Sequence, residues 1–390
     1  MFAVFPCSRL FALCRKRLPV VICAVFGCFL CRSVTAAPGD VDANYGIKGV
    51  ASVTYPDGNI YVTQLLPIPT GETLVIARCT QGTYPYEHSP QGCIYKLAND
   101  GKLVQSFGTN GFGTYASPAD ASYFIEITTA TAQTDGKLLV VGGCKVAKCI
   151  FRLTEDGAID REFGNSGFYY FEAACGGLDL ALQSTGGIIV LTECSSARLG
   201  LRRVTATGLI DTAYGNNGTS TGPVGVHWST SKLAVDATDA VYVGGICADW
   251  FDILTKKPCL WKTNSAGLTD MTFGTNGFSS RQIGRVYDGV YSNVLVVDAS
   301  HRAIFATTCI PGSYSFCATR FLPNGNADLS FGAQGVLSHD ITSGQDEATT
   351  GAMTTDGKFF LAGTCGNGWG LQLSGSVFPV RRPGCKLQPD

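Results

Sequence analysis

The chain has 390 residues, of which 45% are apolar and only 15% charged, and its formal net charge is -1. A nucleic-acid partner calls for a basic face, and no Lys/Arg run lies outside the N-terminus, so composition argues against that role. Four histidines and three methionines leave little material for metal or acid–base chemistry.

Taken in order, the chain opens with Arg15-Lys16-Arg17, an uncharged apolar run from Leu18 to Cys31, and then Ser33-Val34-Thr35-Ala36-Ala37. A basic flank, a short apolar core and small residues near an exit read as a secretory signal peptide, predicted over 1–37 with cleavage after Ala36 or Ala37. The apolar run is shorter than the about 20 residues a membrane-spanning helix needs, so no span is expected after cleavage. Val25-Phe26-Gly27-Cys28 faintly resembles a lipobox, and Arg32 closing the run leaves an uncleaved anchor as a second alternative. Five of the 17 cysteines (Cys7, Cys14, Cys23, Cys28 and Cys31) fall in this leader. The twelve that remain are an even number in an oxidising compartment, which favours disulfides.

Beyond the leader one short box recurs. Phe107-Gly108-Thr109-Asn110-Gly111-Phe112 is repeated letter for letter at 273–278. Looser copies begin at Tyr45, Phe163, Tyr214 and Phe331, giving steps of 62, 56, 51, 59 and 58 residues. Aligned on the box, the pattern lengthens to Lys/Arg-x4-Gly-x2-Asp-x2-Phe/Tyr-Gly-x2-Gly. Its basic residues are Lys96, Arg152, Arg203, Lys262 and Arg320, and its aspartates are Asp42, Asp160, Asp211, Asp270 and Asp328, with Val104 as the departure. Between boxes lie short β-branched or aromatic runs bounded by glycine turns, such as Leu138 to Val141 and Phe359 to Ala362, which read as half-buried antiparallel strands. No segment keeps a helical period.

About four short strands per 50–60 residues predict a β-propeller, because one blade cannot bury both of its faces. Six boxes predict six blades in a single all-β domain over 38–390. The N-terminal strand is expected to close the ring by completing the blade of the last repeat, near Trp369-Gly370-Leu371-Gln372-Leu373. An open solenoid is the structural alternative.

The box, followed by Asp-Gly-Lys, a hydrophobic run and glycine as at 135–143, resembles the delta-60 repeat, a propeller-like repeat family of secreted bacterial proteins. The resemblance runs through nearly all of 39–375. It implies an exported propeller in the periplasm, cell envelope or medium of a bacterium, and it implies no shared activity or catalytic residues.

The cysteines follow the period. Cys79 and Cys93, Cys144 and Cys149, Cys247 and Cys259, and Cys309 and Cys317 each flank the loop between two neighbouring strands, where antiparallel Cα atoms fall within disulfide range. Cys194 lacks a counterpart in its second position, and Cys175 is the available partner. Elimination leaves Cys365 with Cys385. Zinc is disfavoured by the absence of a CxxC pair and of a nearby histidine.

The recurring aspartates could be read as a ring of catalytic or metal-binding carboxylates. Their repetition favours turn residues that accept backbone N–H groups, because catalysis needs one asymmetric site. The basic set either pairs with them or lies on a solvated edge. Asp40-x-Asp42-x-Asn44 starts like a calcium loop and then fails, with Tyr45 at its sixth position and Ala51 at its twelfth. His88, His227, His301 and His339 stand singly, and no nucleophile elbow or phosphate loop is present. No metal or cofactor is therefore expected. Tyr84, Tyr86, His88, Trp228 and Trp250 lie in or near predicted loops, where a rigid propeller tends to bind ligands. The functional expectation is a monomeric, non-enzymatic scaffold that binds a protein or glycan. The alternative is an extracellular hydrolase or lyase with a site at the channel mouth. Carboxylates or a histidine converging at one mouth would favour the enzyme, and an aromatic rim would favour the binder.

Overall fold

The computed structural model describes residues 44–387 except 49, 57, 82–87, 119, 146, 173–174, 195–197, 224–225, 250–251, 285, 288–292, 311–314, 341–344, 354–358 and 367–384. The signal-peptide region, Asp40 and Asp42, and 369–373 lie outside the described residues. Every described element is a strand.

Blade 1 consists of β1 (Gly58–Pro67), β2 (Thr73–Gln81), β3 (His88–Leu97) and β4 (Phe112–Thr114), paired antiparallel in that order. A small hairpin, β5 (Ala116–Ser117) with β6 (Asp120–Phe124), follows it. Blade 2 is built from β7 (Glu126–Ala132), β8 (Leu138–Gly143), β9 (Lys148–Leu153) and β10 (Phe168–Tyr170). Blade 3 has β11 (Cys175–Leu182), β12 (Ile188–Cys194), β13 (Arg198–Val204) and β14 (Thr219–Thr221). In blade 4 the strands are β15 (Val226–Val235), β16 (Val241–Asp249), β17 (Asp252–Thr263) and β18 (Phe278–Ser280). Blade 5 divides its first strand into β19 (Val286–Tyr287) and β20 (Val294–Val297), both paired with β21 (Ala303–Cys309), before β22 (Ser315–Phe321) and β23 (Val336–His339). The last sheet has only β24 (Gln345–Met353), β25 (Phe359–Gly366) and β26 (Cys385–Leu387).

The architecture is a β-propeller with five blades, a correction to the six expected from the boxes. The reason is where the box sits, between the third and fourth strands of a blade. Only the boxes at 107, 163, 214, 273 and 331 have three described strands before them and one after. The box at 45 has no described strand before it, and the last sheet has no box after it. Among the described residues no strand pairs with the outer edge of β26. Residues 50–53 lie against blade 1, where Ala51 and Val53 pack with Val75, Ala77 and Tyr95.

The first strands touch one another in succession, β1 with β7, then β11, β15, β20 and β24, and so line the centre. Blade faces meet through continuous apolar layers. Ile76, Ile94 and Leu74 of blade 1 pack on Val140 and Phe151 of blade 2, and Leu139 and Ile150 pack on Leu180 and Val190 of blade 3. Leu191 and Leu201 then meet Val243 and Trp261 of blade 4, and Tyr242 and Leu260 meet Phe305 of blade 5. Such layers replace the single core of a compact domain, which is why the strands read as unbroken apolar runs where both faces are covered.

The box works as a junction between blades. Its aromatic is buried against the next blade, with Phe163, Tyr214 and Phe273 at 0% exposure. Its first glycine donates its N–H to a turn carbonyl of that neighbour: Gly46 to Asp100, Gly108 to Asp156, Gly164 to Thr207, Gly215 to Ala266 and Gly274 to Asn324, over 2.5–2.8 Å. At Gly274 φ is +56°, and a Cβ there would lie 2.2 Å from the Phe278 carbonyl oxygen. A side chain therefore meets both left-handed strain and a backbone collision. Gly274→Ala is expected to cost about 2 kcal/mol or more. Thr275→Ala, at an exposed neighbouring position, should stay within about 0.5 kcal/mol. Urea unfolding of the oxidised variants measures both.

Five disulfides brace the strands. Cys79–Cys93, Cys144–Cys149, Cys247–Cys259 and Cys309–Cys317 each link the second strand of a blade, or the loop leaving it, to the third, with Cα atoms 5.7–6.0 Å apart. Cys175–Cys194 differs in joining the first strand of blade 3 to the second, with the two residues directly opposed. Cys385 lies on β26 opposite Gly363 of β25, and the side chains of Cys365 and Cys385 fall outside the described set.

Candidate functional site

The repeated charged residues form one unit per blade. Arg152 bonds Asp160 at 2.8 Å, Arg203 bonds Asp211 at 2.8 Å, Lys262 bonds Asp270 at 3.0 Å and Arg320 bonds Asp328 at 2.8 Å. Each cation also lies over the aromatic of its box, 4.8–5.7 Å from the centre of Phe163, Tyr214, Phe273 or Phe331. The other carboxylate oxygen accepts the N–H two residues on, from Glu162, Ala213, Thr272 or Ser330. The aspartates are thus turn residues and ion-pair partners together. In blade 1, where Val104 replaces the aspartate and packs into the apolar layer, Lys96 turns to Glu72 at 2.9 Å.

These pairs have a pH signature. At Asp328 the Ser330 hydroxyl, against an opposing push from burial, acts with the Ser330 N–H and Arg320 to hold the carboxyl below its ordinary range. At Asp270 burial pushes the carboxyl up but is outweighed by Thr272 and Lys262, and at Asp160 it is outweighed by Lys137, the Glu162 N–H and Arg152. A folded pKa below the unfolded value, about 3.9, contributes stability that is complete above that value and lost as pH falls through the folded one. The urea midpoint should therefore hold steady from about pH 7 to 5 and drop below about pH 4. Asp328→Asn should lower the midpoint at neutral pH and make that drop shallower.

Chemistry that differs from blade to blade lies elsewhere, at the channel. The inner strands carry a β-bulge at one shared register, after Val62 in β1, Ile127 in β7, Gly177 in β11, Ser229 in β15 and Ala348 in β24. The residues that resume the pairing are Gln64, Thr129, Asp179, Lys232 and Thr350, and Val294 stands at the same register in blade 5. Bulges break the alternation of a strand and re-aim its side chains.

Apart from Val294 these residues form a collar of polar groups, two of which, Gln64 and Asp179, clip one blade to the next. The Gln64 amide donates to the Ala130 carbonyl at 2.9 Å and accepts the Ala130 N–H at 3.0 Å. Asp179 accepts the N–H of Leu180 on one oxygen and of Leu233, from blade 4, on the other, each at 3.0 Å. Burial drives the Asp179 carboxyl pKa upward, opposed by the charge of Lys232 and by those two N–H groups. The Asp179 residue is half-buried.

None of the collar residues stood out from motifs. The usable signal was position, since in blades 1 to 5 each lies four residues before the start of the following turn, at Ile68, Gln133, Gln183, Asp236 and Asp298.

The loops between the second and third strands open at one end of the channel, together with the connections between blades. Of the residues expected to bind there, Tyr84, Tyr86 and Trp250 lie outside the described residues, and His88 starts β3 with its side chain outside the described set. Trp228 is a correction. It lies on inner strand β15 opposite Cys247, is 4% exposed, and packs edge-on to Phe278 within the layer between blades 3 and 4. It is a core residue because strand β15 begins earlier than the loop reading placed it.

The described aromatics that are open at this end are Tyr123 and Phe124 on β6, at 37% and 38% exposure. Their hairpin is fixed by the Asp120–Lys145 ion pair and by Ser117, whose hydroxyl donates to the Cys144 carbonyl. The length of the 115–125 connection, against 171–174 in the next blade, was the sequence signal for it. At the opposite end His301 is not isolated, since its Nδ1 lies 2.9 Å from Asp236 and so ties the turn of blade 5 to that of blade 4. Among the described residues no three His, Cys, Asp or Glu side chains are grouped so as to hold a metal ion.

Fold and site together define a disulfide-braced β-propeller whose repeated charges hold the blades and whose varied chemistry lines the channel. The family model described as "Domain of unknown function (DUF5122) beta-propeller" matches residues 133–163, from the first turn of blade 2 to its box aromatic. No curated protein matches the chain.

Solved structures similar to it include a protein of unknown function from Bacteroides caccae, at 14% identity and a TM-score of 0.36 over 58% of this chain and 64% of that one. The chain therefore spans less than two thirds of that protein. A protein of unknown function from Dyadobacter fermentans DSM 18053 is 10% identical, with a TM-score of 0.44 over 80% and 92% of the two chains. A PL25 ulvan lyase bound to a GlcA–Rha3S saccharide is 9% identical, with a TM-score of 0.45 over 80% and 81%. Five disulfides are consistent with an extracellular location, and no described helix is long and apolar enough to cross a membrane.

Proposed function

We propose that the protein is an exported binding propeller of the delta-60 type, freed of its leader near Ala37, which engages a protein or glycan at the channel and loop end. The observation that carries this reading is the fate of the carboxylates. The aspartates that repeat from blade to blade are committed to ion pairs and turns. The one carboxylate of the collar, Asp179, already accepts backbone N–H groups on both oxygens. A hydrolase or lyase of the acid–base kind needs a carboxyl free to exchange a proton with substrate, and these are engaged. Exposed aromatics on a braced hairpin supply contact area at little entropic cost, which suits binding.

Mass spectrometry of the exported protein tests the reading. The denatured, non-reduced chain should begin near residue 38. It should be ten hydrogens light for the five disulfides, or twelve if Cys365 and Cys385 also join. Under native conditions the protein should retain or recapture a ligand without altering it. Turnover of an offered polysaccharide, abolished by Asp179→Asn, would replace the binding reading with the enzymatic one.

A further inference from the structure

We infer that the channel collar recognises a neutral polyhydroxylated ligand, the end of a saccharide chain or a small sugar, through the hydroxyl and amide groups at the inner-strand bulges. The inference rests on the binding reading and names its ligand class. Thr128 and Thr350 lie on innermost strands and are nevertheless exposed, which requires an open channel at the register of the collar.

The carboxylate of the collar is already answered. Asp179 is held by the N–H groups of Leu180 and Leu233, and the charge of Lys232 acts on it. A cation entering the channel would lose hydration and gain no free carboxylate from the collar, whereas a neutral ligand avoids that cost. What remains to meet a ligand is the hydroxyl groups of Thr128 and Thr350, each a donor and an acceptor, and the second amide hydrogen of Gln64, the Thr129 hydroxyl already donating to Gln64 Oε1 at 3.4 Å. A sugar edge carries hydroxyls with the same dual capacity.

Depth decides between the two partner classes. The bulge lies within each inner strand, between the loop end and the turn at the other end, as at 128 within Glu126–Ala132. The surface of a folded protein is too broad to reach that depth, and a chain end is not.

The test is saturation-transfer NMR on the oxidised full-length exported protein, with glucose, galactose, N-acetylglucosamine, cellobiose, lactose and chitobiose as probes. At least one probe should receive saturation. Thr128→Val and Thr350→Val should each weaken its binding by roughly two- to ten-fold, the worth of one net hydrogen bond. Both positions are exposed, so unchanged urea midpoints will separate lost recognition from lost folding. Saturation that persists undiminished in both variants would overturn the collar while leaving the binding reading in place. Retention of a polypeptide ligand with no saccharide bound would overturn the saccharide class and again leave the binding reading. If neither a saccharide nor any other ligand is held, both fall.

Discussion

Trp261→Ala should be among the most damaging single changes in the chain, lowering stability by about 4 kcal/mol. The indole is fully buried on the third strand of blade 4, between Val243 and Phe278 in the ladder. It packs into the layer shared with Leu191, Leu201 and Tyr214 of blade 3, and its N–H meets the Thr269 hydroxyl at 3.3 Å. Backbone surrounds it closely, with Gly222 so near that even a Cβ there would approach the ring to 3.4 Å. The layer is held on both sides by paired strands and cannot collapse into the space, so the cavity term is felt in full. Trp261→Phe keeps most of the volume and should cost about half as much or less. Urea unfolding under oxidising conditions distinguishes the two. Equal losses would show that the layer is looser than its burial implies.

Replacing Cys175 and Cys194 together by serine is expected to cost about 3 kcal/mol by chain entropy, against about 2 for Cys144 and Cys149. The difference follows from the loop each bond closes, with separations of 19 and 5 residues. Position reinforces it. Cys175–Cys194 ties the innermost strand of blade 3, which carries Asp179 three residues beyond Gly176, to its neighbour. Its loss should therefore also loosen the Asp179 contact with Leu233. Hydrogen exchange at the Leu233 amide reads that directly, rising in the Cys175/Cys194 variant and holding steady in the Cys144/Cys149 one.

Much of this fold was legible in the sequence for a physical reason. The box glycines keep their spacing because a side chain at Gly108 or Gly274 would strike a carbonyl 2.2–2.3 Å away. Nothing but glycine fits, and the repeat becomes visible. The basic residue eight positions before four of the five aspartates, as in Arg152 and Asp160, was equally plain. That the pair would close was not, because strand and turn must first bring the two side chains together. The blade count misled because the boxes mark strand junctions rather than whole blades. Trp228 misled because it stands near the start of β15, beside the connection from blade 3, where the first residues of a strand read like the end of a loop. The collar was least visible. Gln64, Thr129, Asp179 and Lys232 come from segments 50 or more residues apart, and a bulge in each strand hides their common register.

The box-to-turn contacts have a directional sense. Tyr45 reaches forward to Gly101, Phe107 to Gly157, Phe163 to Gly208, Tyr214 to Gly267 and Phe273 to Gly325. Blades 1 to 4 therefore each carry a plug at one side and a socket at the other, of the same make in all four. Gene duplication or deletion of one whole repeat would leave each remaining plug facing a matching socket. A propeller assembled in this way can change size in evolution without redesigning any interface.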